Sequence, residues 1–500
     1  MAIVLASLSA DDKVPGVYQE NKFGQGASSV ADQPRYVVVT GNKLSTGTAT
    51  ADSYVGQVYS TSEADTLFGA GSEIALQCQE ALETGAAVIA APVAEAGGAA
   101  ASTLVVAHST LGTGTGQITL WVGDETITYV VGATKSDTAD NLVAAVNAKA
   151  RLFCTATKGA GAAYDVTLTV KSKGVRGNAW YAKLDTSLAP SGNVTTITGG
   201  TPTSSGMVPF SGGSGTDDAT NVINLLKATE YFRIAAAQND STNAALWEAH
   251  ADAEADPLIE HLEQVVFGHN GTLAAATTLA QSTLNAYLCS LYWCRYSRKH
   301  PSQIAARIAG IRCVAESTNP WTRYDGHFND STALLWTTVP QLNADIPLHS
   351  ELKSALNSGV SPISTYAGDL RIVRSICSRS LNGSAPDYRC LDTADVSVPQ
   401  RVREELAVLG GTFIENNPGC GPDLPDGQPQ RPGVGTPKIW NALVIGLARE
   451  LEQRGWVSDV DTNKPTSTWN NSNKRIETAF PVVVTSHQHQ LVNSIRQVAV

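Results

Sequence analysis

Between Tyr36 and Ala91 the chain passes from a block of valines, through a stretch of helical spacing, to a second run of small apolar residues, and that order admits few folds. Tyr36 to Thr40 is a continuous apolar run of the kind that forms a strand buried on both faces. From Ser72 to Glu83 the apolar residues recur at helical spacing, with Ile74, Cys78 and Leu82 on one face. Gly85 is placed to end that helix, and Ala87 to Ala91 reads as the next strand. Strand, helix, strand predicts a right-handed parallel crossover, so an α/β sheet is expected.

The pattern breaks at Ala94 to Ala101, an Ala/Gly-rich linker. Gln117 to Val122 and Thr126 to Val131 then alternate around Gly123-Asp124, a hairpin signal. Ser136-Asp137 is placed to cap a helix carrying Ala139, Leu142, Val143 and Val146. Strands follow at Leu152 to Ala156 and Val166 to Val170, and Ser204 to Gly215 is a second linker. Residues 100–205 therefore read as an α+β domain inserted into the first one. Beyond it, a helix is expected from Asp218 to Ala228, strands at Phe232 to Ala236 and Gln264 to Phe267, a long helix from Leu273 to Tyr287 and another around Ile304 to Ile308. Gly368 to Ile376 reads as a strand, Pro399 to Leu409 as a helix begun by its proline, and Pro437 to Arg454 as an amphipathic helix ended at Gly455. Ala479 to Val484 and Ser494 to Val500 are strand-like with nothing downstream to pair with, so each must find an edge elsewhere.

At 500 residues, with 42% hydrophobic and 16% charged side chains, the chain can bury several cores. The formal charge of -11 gives no electrostatic reason to expect nucleic acid as a partner. No apolar stretch approaches the roughly 18 residues of a membrane span. Ala2 to Ala10 is mildly apolar but has no basic residue before it, so it reads as mature chain made in the cytoplasm.

The residues offer little chemistry. GxxxxGK[ST] is absent, and Gly112 to Gly116 and Gly212 to Gly215 sit in linkers rather than after a crossover strand, so no nucleotide or other cofactor is expected. His487-Gln488-His489 would put two imidazoles on one face of a strand, but no third metal ligand is evident. His250, Asp252, Glu254 and His261, broken by Pro257, read as a solvated helix face. There is no GxSxG elbow, and Asp325-Gly326-His327 is a turn rather than a triad, so an enzyme is not expected.

Specific residues then become informative. Val14-Pro15-Gly16-Val17-Tyr18-Gln19-Glu20 resembles the opening motif of contractile tail sheath proteins of bacteriophages. Asp65 to Ser72 (Asp-Thr-Leu-Phe-Gly-Ala-Gly-Ser), with Ala75-Leu76, resembles the LFG.GS.LA stretch of the Mu-like sheath branch. Val166 to Val170 with Lys173-Gly174-Val175-Arg176-Gly177-Asn178 is similar to that branch's inserted domain, and Arg371-Ile372-Val373-Arg374 and the helix before Gly455-Trp456 stand where its carboxyl-terminal domain would have them.

The resemblance implies α/β and α+β multidomain architecture. It comprises a subtilisin-like α/β core without a catalytic triad (31–98 and 206–365), an outward-facing inserted domain (99–205), a carboxyl-terminal domain (366–475) and terminal β-arms (1–30 and 476–500). It implies a virion subunit assembled in the host cytoplasm. The partners would be further copies of the chain in six-fold rings, a tail tube protein, and baseplate and neck or terminator proteins, in a phage or a contractile injection system. The arms, Val14, Pro15, Gly16, Val17 and Tyr18 at one end and Phe480, Pro481, Val482, Val483 and Val484 at the other, would add strands to neighbouring subunits. Of the eight cysteines, Cys289, Cys294, Cys313, Cys377, Cys390 and Cys420 lie between 289 and 420, and exposed ones, Cys420 first, are expected to cross-link neighbours once the particle leaves the reducing cytoplasm. A subtilisin-like hydrolase and a tail-fibre or adhesin-type surface protein are the alternatives.

Overall fold

The structure is a computed structural model. It describes residues 35–489 apart from 161–163, 257, 258, 260, 329–330, 338–342, 388, 426–427 and 430. The expected arm Val14 to Glu20 and the candidate strand Ser494 to Val500 lie outside the described residues, as does Pro257. The described chain is a mixed α/β protein with several sheets, and it falls into two units.

The larger unit is organised by a nine-stranded sheet. Its order is Leu334–Trp336, Asp369–Ile372, Val360–Tyr366, Cys289–Trp293, Gln264–His269, Arg233–Ala236, Tyr36–Val39, Ala87–Ala90 and Gly56–Val58. The strands from Val360–Tyr366 to Ala87–Ala90 run parallel, and the outer ones are antiparallel. A parallel sheet is covered on both faces, which is why its strands read as unbroken apolar runs. One face packs Ile74, Cys78, Ile304 and Ile308 from helices Glu73–Leu82 and Pro301–Thr318. The other packs Trp247 and Ala251 from helix Ser241–Glu254 and Leu279 from the π-helical turn Leu279–Leu284. At Gly268 a Cβ would stand 1.9 Å from the Pro301 carbonyl oxygen, so only glycine lets helix Pro301–Thr318 reach the sheet.

Several expectations are corrected. The helix expected over 273–287 is Leu273–Thr278 followed by a π-helical turn, Leu279–Leu284, and it stops at Asn285 in the left-handed conformation (φ 33°). The strand Cys289–Trp293, buried at every position, begins just past the expected end of that helix and was not expected. The strand expected over 368–376 is shorter, Asp369–Ile372, and turns back on Val360–Tyr366, a strand that was not expected. A domain boundary at 366 would therefore cut a hairpin of the main sheet. The helix expected to begin at Pro399 runs Ala394–Asn416, with the proline ring accommodated in its second turn. The helix assigned a cap at Ser136-Asp137 is capped by Thr134, which forms a reciprocal box with Asp137.

Between residues 103 and 209 two four-stranded sheets enclose a core of Leu104, Ile118, Leu120, Leu142, Val166 and Leu168. The two glycine-rich connections to this β module lie side by side, with Ala100 donating to Ser214 and Thr103 to Ser211 at 3.0 and 2.8 Å.

The smaller unit draws on 401–450 and 461–481. In it Thr466–Asn470 pairs antiparallel with Arg475–Ala479, and Trp440 donates to Thr478 Oγ1 at 2.9 Å and stacks at a tilt on Phe413. The stretch from 476 onward thus has a partner in its own chain at its start, contrary to expectation, because the turn Asn471–Lys474 brings Thr466–Asn470 alongside it.

Candidate functional site

Two of the sequence motifs that carry the sheath resemblance, Asp65 to Ser72 and Lys173 to Asn178, meet at one joint. Phe68 is fully buried at the end of helix Thr61–Phe68, Gly69 and Gly71 take positive φ (88° and 79°), and Ser72 caps the next helix by accepting from the Ala75 N–H. Glu73, directly after that cap, meets Arg176 of the second motif: Arg176 Nη2 lies 2.7 Å from Glu73 Oε2 and Nη1 lies 2.7 Å from Asp217 Oδ2. Asn42 Oδ1 accepts from the same guanidinium, and His300 Nε2 donates to the Arg176 carbonyl at 3.0 Å. Burial alone would raise the Glu73 carboxyl, but Arg176 beside it holds it down to about 2. Asn178 completes the joint, accepting from Ser102 Oγ at 2.8 Å and from the Gly213 N–H at 2.9 Å. The knot ties the β module to the main sheet.

A second buried network joins the sheet to the helix at Ala394. Glu316 receives Arg312 Nε at 2.7 Å, Ser397 Oγ at 2.8 Å, Tyr324 Oη at 3.0 Å and the Arg233 guanidinium. Burial pushes the Glu316 carboxyl up, and the two guanidiniums outweigh it and hold it at about 2. Of the run expected as a solvated face, Asp252 is exposed and His261 half-buried, but His250 and Glu254 are buried, and His250 Nε2 lies 3.0 Å from Glu263. The apolar run of the following strand gave no sign that Glu263 would be drawn inward with it.

The carboxyl-terminal segment is where an assembling protein could act. Ser458 N donates to Val483 O at 2.9 Å and Thr485 N to Trp456 O at 3.1 Å, with Val484 bridged to Val457. Trp321 Nε1 donates to Thr485 O. The opposite edge, which carries the main chain of Val482 and Val484, has no hydrogen-bond partner among the described residues. Beside the segment, Ala315, Trp321, Thr322, Thr332 and Thr485 line an open groove of about 640 Å³. Phe480 is half-buried and Pro481 exposed.

The cysteines divide by burial. Cys289, Cys294, Cys313 and Cys377 are buried, and burial pushes the last three thiols up to about 12. Four of the six cross-linking candidates are thus packed inside one chain, where a neighbour's sulfur cannot reach. Cys390 is half-buried, and Cys420 is exposed with its thiol directed at the Lys474 carbonyl at 3.4 Å.

His487 and His489 do have a third potential donor nearby: the ligand atoms of Asp392, His487 and His489 all lie within 4.8 Å of one another. Their separation of some ninety residues in sequence left nothing to signal it.

No protein-family model matches the chain, and the curated proteins contain no match to it. Among solved structures it is similar to a sheath tail protein from Desulfitobacterium hafniense, at 15% identity over 94% of this chain and 97% of that one, with a TM-score of 0.47. It is also similar to a sheath tail protein from Listeria innocua, at 12% identity over 91% and 93%, with a TM-score of 0.46. A third similar structure is a chain of the anti-feeding prophage baseplate, at 9% identity over 97% and 99%, with a TM-score of 0.47. All three scores lie below 0.5, and the functional reading rests on the chain's own residues.

Proposed function

We propose that the chain is a structural subunit of a contractile tail sheath. It would polymerise as stacked six-fold rings around a tail tube, with a baseplate at one end and a terminator at the other, and contract to drive the tube through a host envelope. The observation that carries this reading is the segment Val482–Thr485, docked along one edge on its own chain and open along the other. An extended segment with one free edge is what strand addition between subunits requires. Main-chain bonds can then persist while the bodies they join rotate between two packings. The order of motifs from Val14 to Trp456 supports the same reading.

The terminal arms, Val14 to Tyr18 and Phe480 to Val484, are proposed as the exchanged strands. A subtilisin-like descent of the main sheet without its triad, and a non-enzymatic role, go with the proposal. The redox lock narrows to Cys420, with Cys390 as the second thiol that a neighbour could reach. Deleting residues 482–500 tests the reading by sedimentation velocity. The full chain should sediment as large, heterogeneous polymers and the truncated chain as a single small species. Equal sedimentation of the two would remove the arm from the account.

A further inference from the structure

We propose that Asp392, His487 and His489 bind a borderline transition-metal cation, Zn2+ in the first instance, which clips the segment 482–489 to the body of its own chain. Each imidazole is already oriented for it. His489 Nδ1 lies 2.8 Å from Asp325 Oδ2, and because a carboxylate only accepts, this nitrogen carries the hydrogen and the lone pair falls on Nε2. That Nε2 is buried, makes no hydrogen bond, and stands 3.5 Å from Asp392 Oδ2. His487 Nε2 donates to the Trp321 carbonyl at 3.1 Å, which leaves Nδ1 as its free donor.

Metal-bound histidines characteristically give their second N–H to a carboxylate or a main-chain carbonyl, fixing tautomer and ring orientation. Both arrangements are present here, one on each ring. Two imidazoles and a carboxylate suit Zn2+ or its neighbours rather than Mg2+ or Ca2+, which favour oxygen ligands. Ligand atoms held about 2.0–2.1 Å from a tetrahedral ion stand roughly 3.4 Å apart, so rotation of the rings by about an ångström closes the site. A water would take the fourth position.

The charged surroundings are mixed. Arg374 forks onto Asp392, Nε to Oδ1 at 2.6 Å and Nη2 to Oδ2 at 2.9 Å, and opposes the cation. It leaves each oxygen a second lone pair, and Asp325 and Asp395 add negative charge, Asp395 by accepting from the Asp392 N–H at 3.0 Å.

The site lies within one chain, and its test is independent of assembly. The full-length protein, stripped with chelator, is titrated with Zn2+ by calorimetry beside His487→Gln/His489→Gln and Asp325→Asn. One equivalent is expected on the wild type and none at this site in the double variant. Asp325→Asn should weaken binding about 10–100-fold, and saturating Zn2+ should raise the wild-type melting temperature by about 2–4 °C. Equal uptake by wild type and double variant, or no uptake by wild type, overturns the proposal. Should the double variant not fold, X-ray absorption on the zinc-loaded wild type decides: nitrogen and oxygen neighbours with imidazole scattering support the site, and a sulfur neighbour refutes it.

Discussion

Arg176 shows how far a single residue was legible. Its motif, Lys173 to Asn178, stood out in the sequence, but nothing there gave its partners, because Asn42, Glu73, Asp217 and His300 come from four separate stretches. A buried guanidinium with two carboxylates holds only while all members are present. Arg176→Ala should lower the unfolding free energy by about 3–5 kcal/mol in urea titrations, since it strands Glu73 in a dry site. The carboxyls of Glu73 and Glu316 set an acid limit. Each is held at about 2 in the folded chain, below its ordinary value of 4.5. Their contribution is complete above the unfolded value and is lost as pH falls from about 4.5 through about 2. Melting temperatures measured at low salt should therefore drop steeply over that interval, and Glu316→Gln should flatten the drop. Thiol burial gives a third prediction. A water-soluble disulfide reagent should modify Cys420 in the native chain at once, Cys390 slowly, and the other six only after denaturation.

At the scale of elements, runs of apolar residues were readable and their ends were not. Tyr36–Val39, Ala87–Ala90 and the hairpin at Gly123 form close to where the alternation and turn residues put them. The helix from Leu273 was overextended because its composition continues to favour helix up to Asn285, whereas tertiary bonds stop it. Asn285 Oδ1 accepts from the N–H groups of Ser380 and Leu381, both at 3.1 Å, and Nδ2 donates to Leu381 O at 3.0 Å. Those partners lie some ninety-five residues on, beyond any local signal. Asn285→Ala removes three bonds and leaves alanine at positive φ, so it should cost about 2–4 kcal/mol. Asn285→Gly, which relieves only the backbone, should recover about 1 kcal/mol of that. The sheet itself ends in three-residue strands, Gly56–Val58 and Leu334–Trp336, and short edge strands discourage unplanned pairing.

At the scale of the whole molecule, the proposed strand addition would fall on the open edge of Val482–Thr485 rather than on the main sheet. The sequence indicated α/β organisation, an inserted module and a strand-like terminus. It could not indicate that Val483 and Thr485 are held by Trp456 and Ser458, nor that His487 and His489 reach Asp392, because such pairings exist only once the chain has folded. A subunit of this kind, whose open edge is held ready on a folded body, should polymerise without nucleotide or any other partner. Negative-stain electron microscopy of the purified chain, in the presence of reductant, tests that most directly. Hollow tubes of stacked rings with six-fold end views are the predicted result. A field of discrete monomers or trimers at concentrations where the protein is folded would contradict the account.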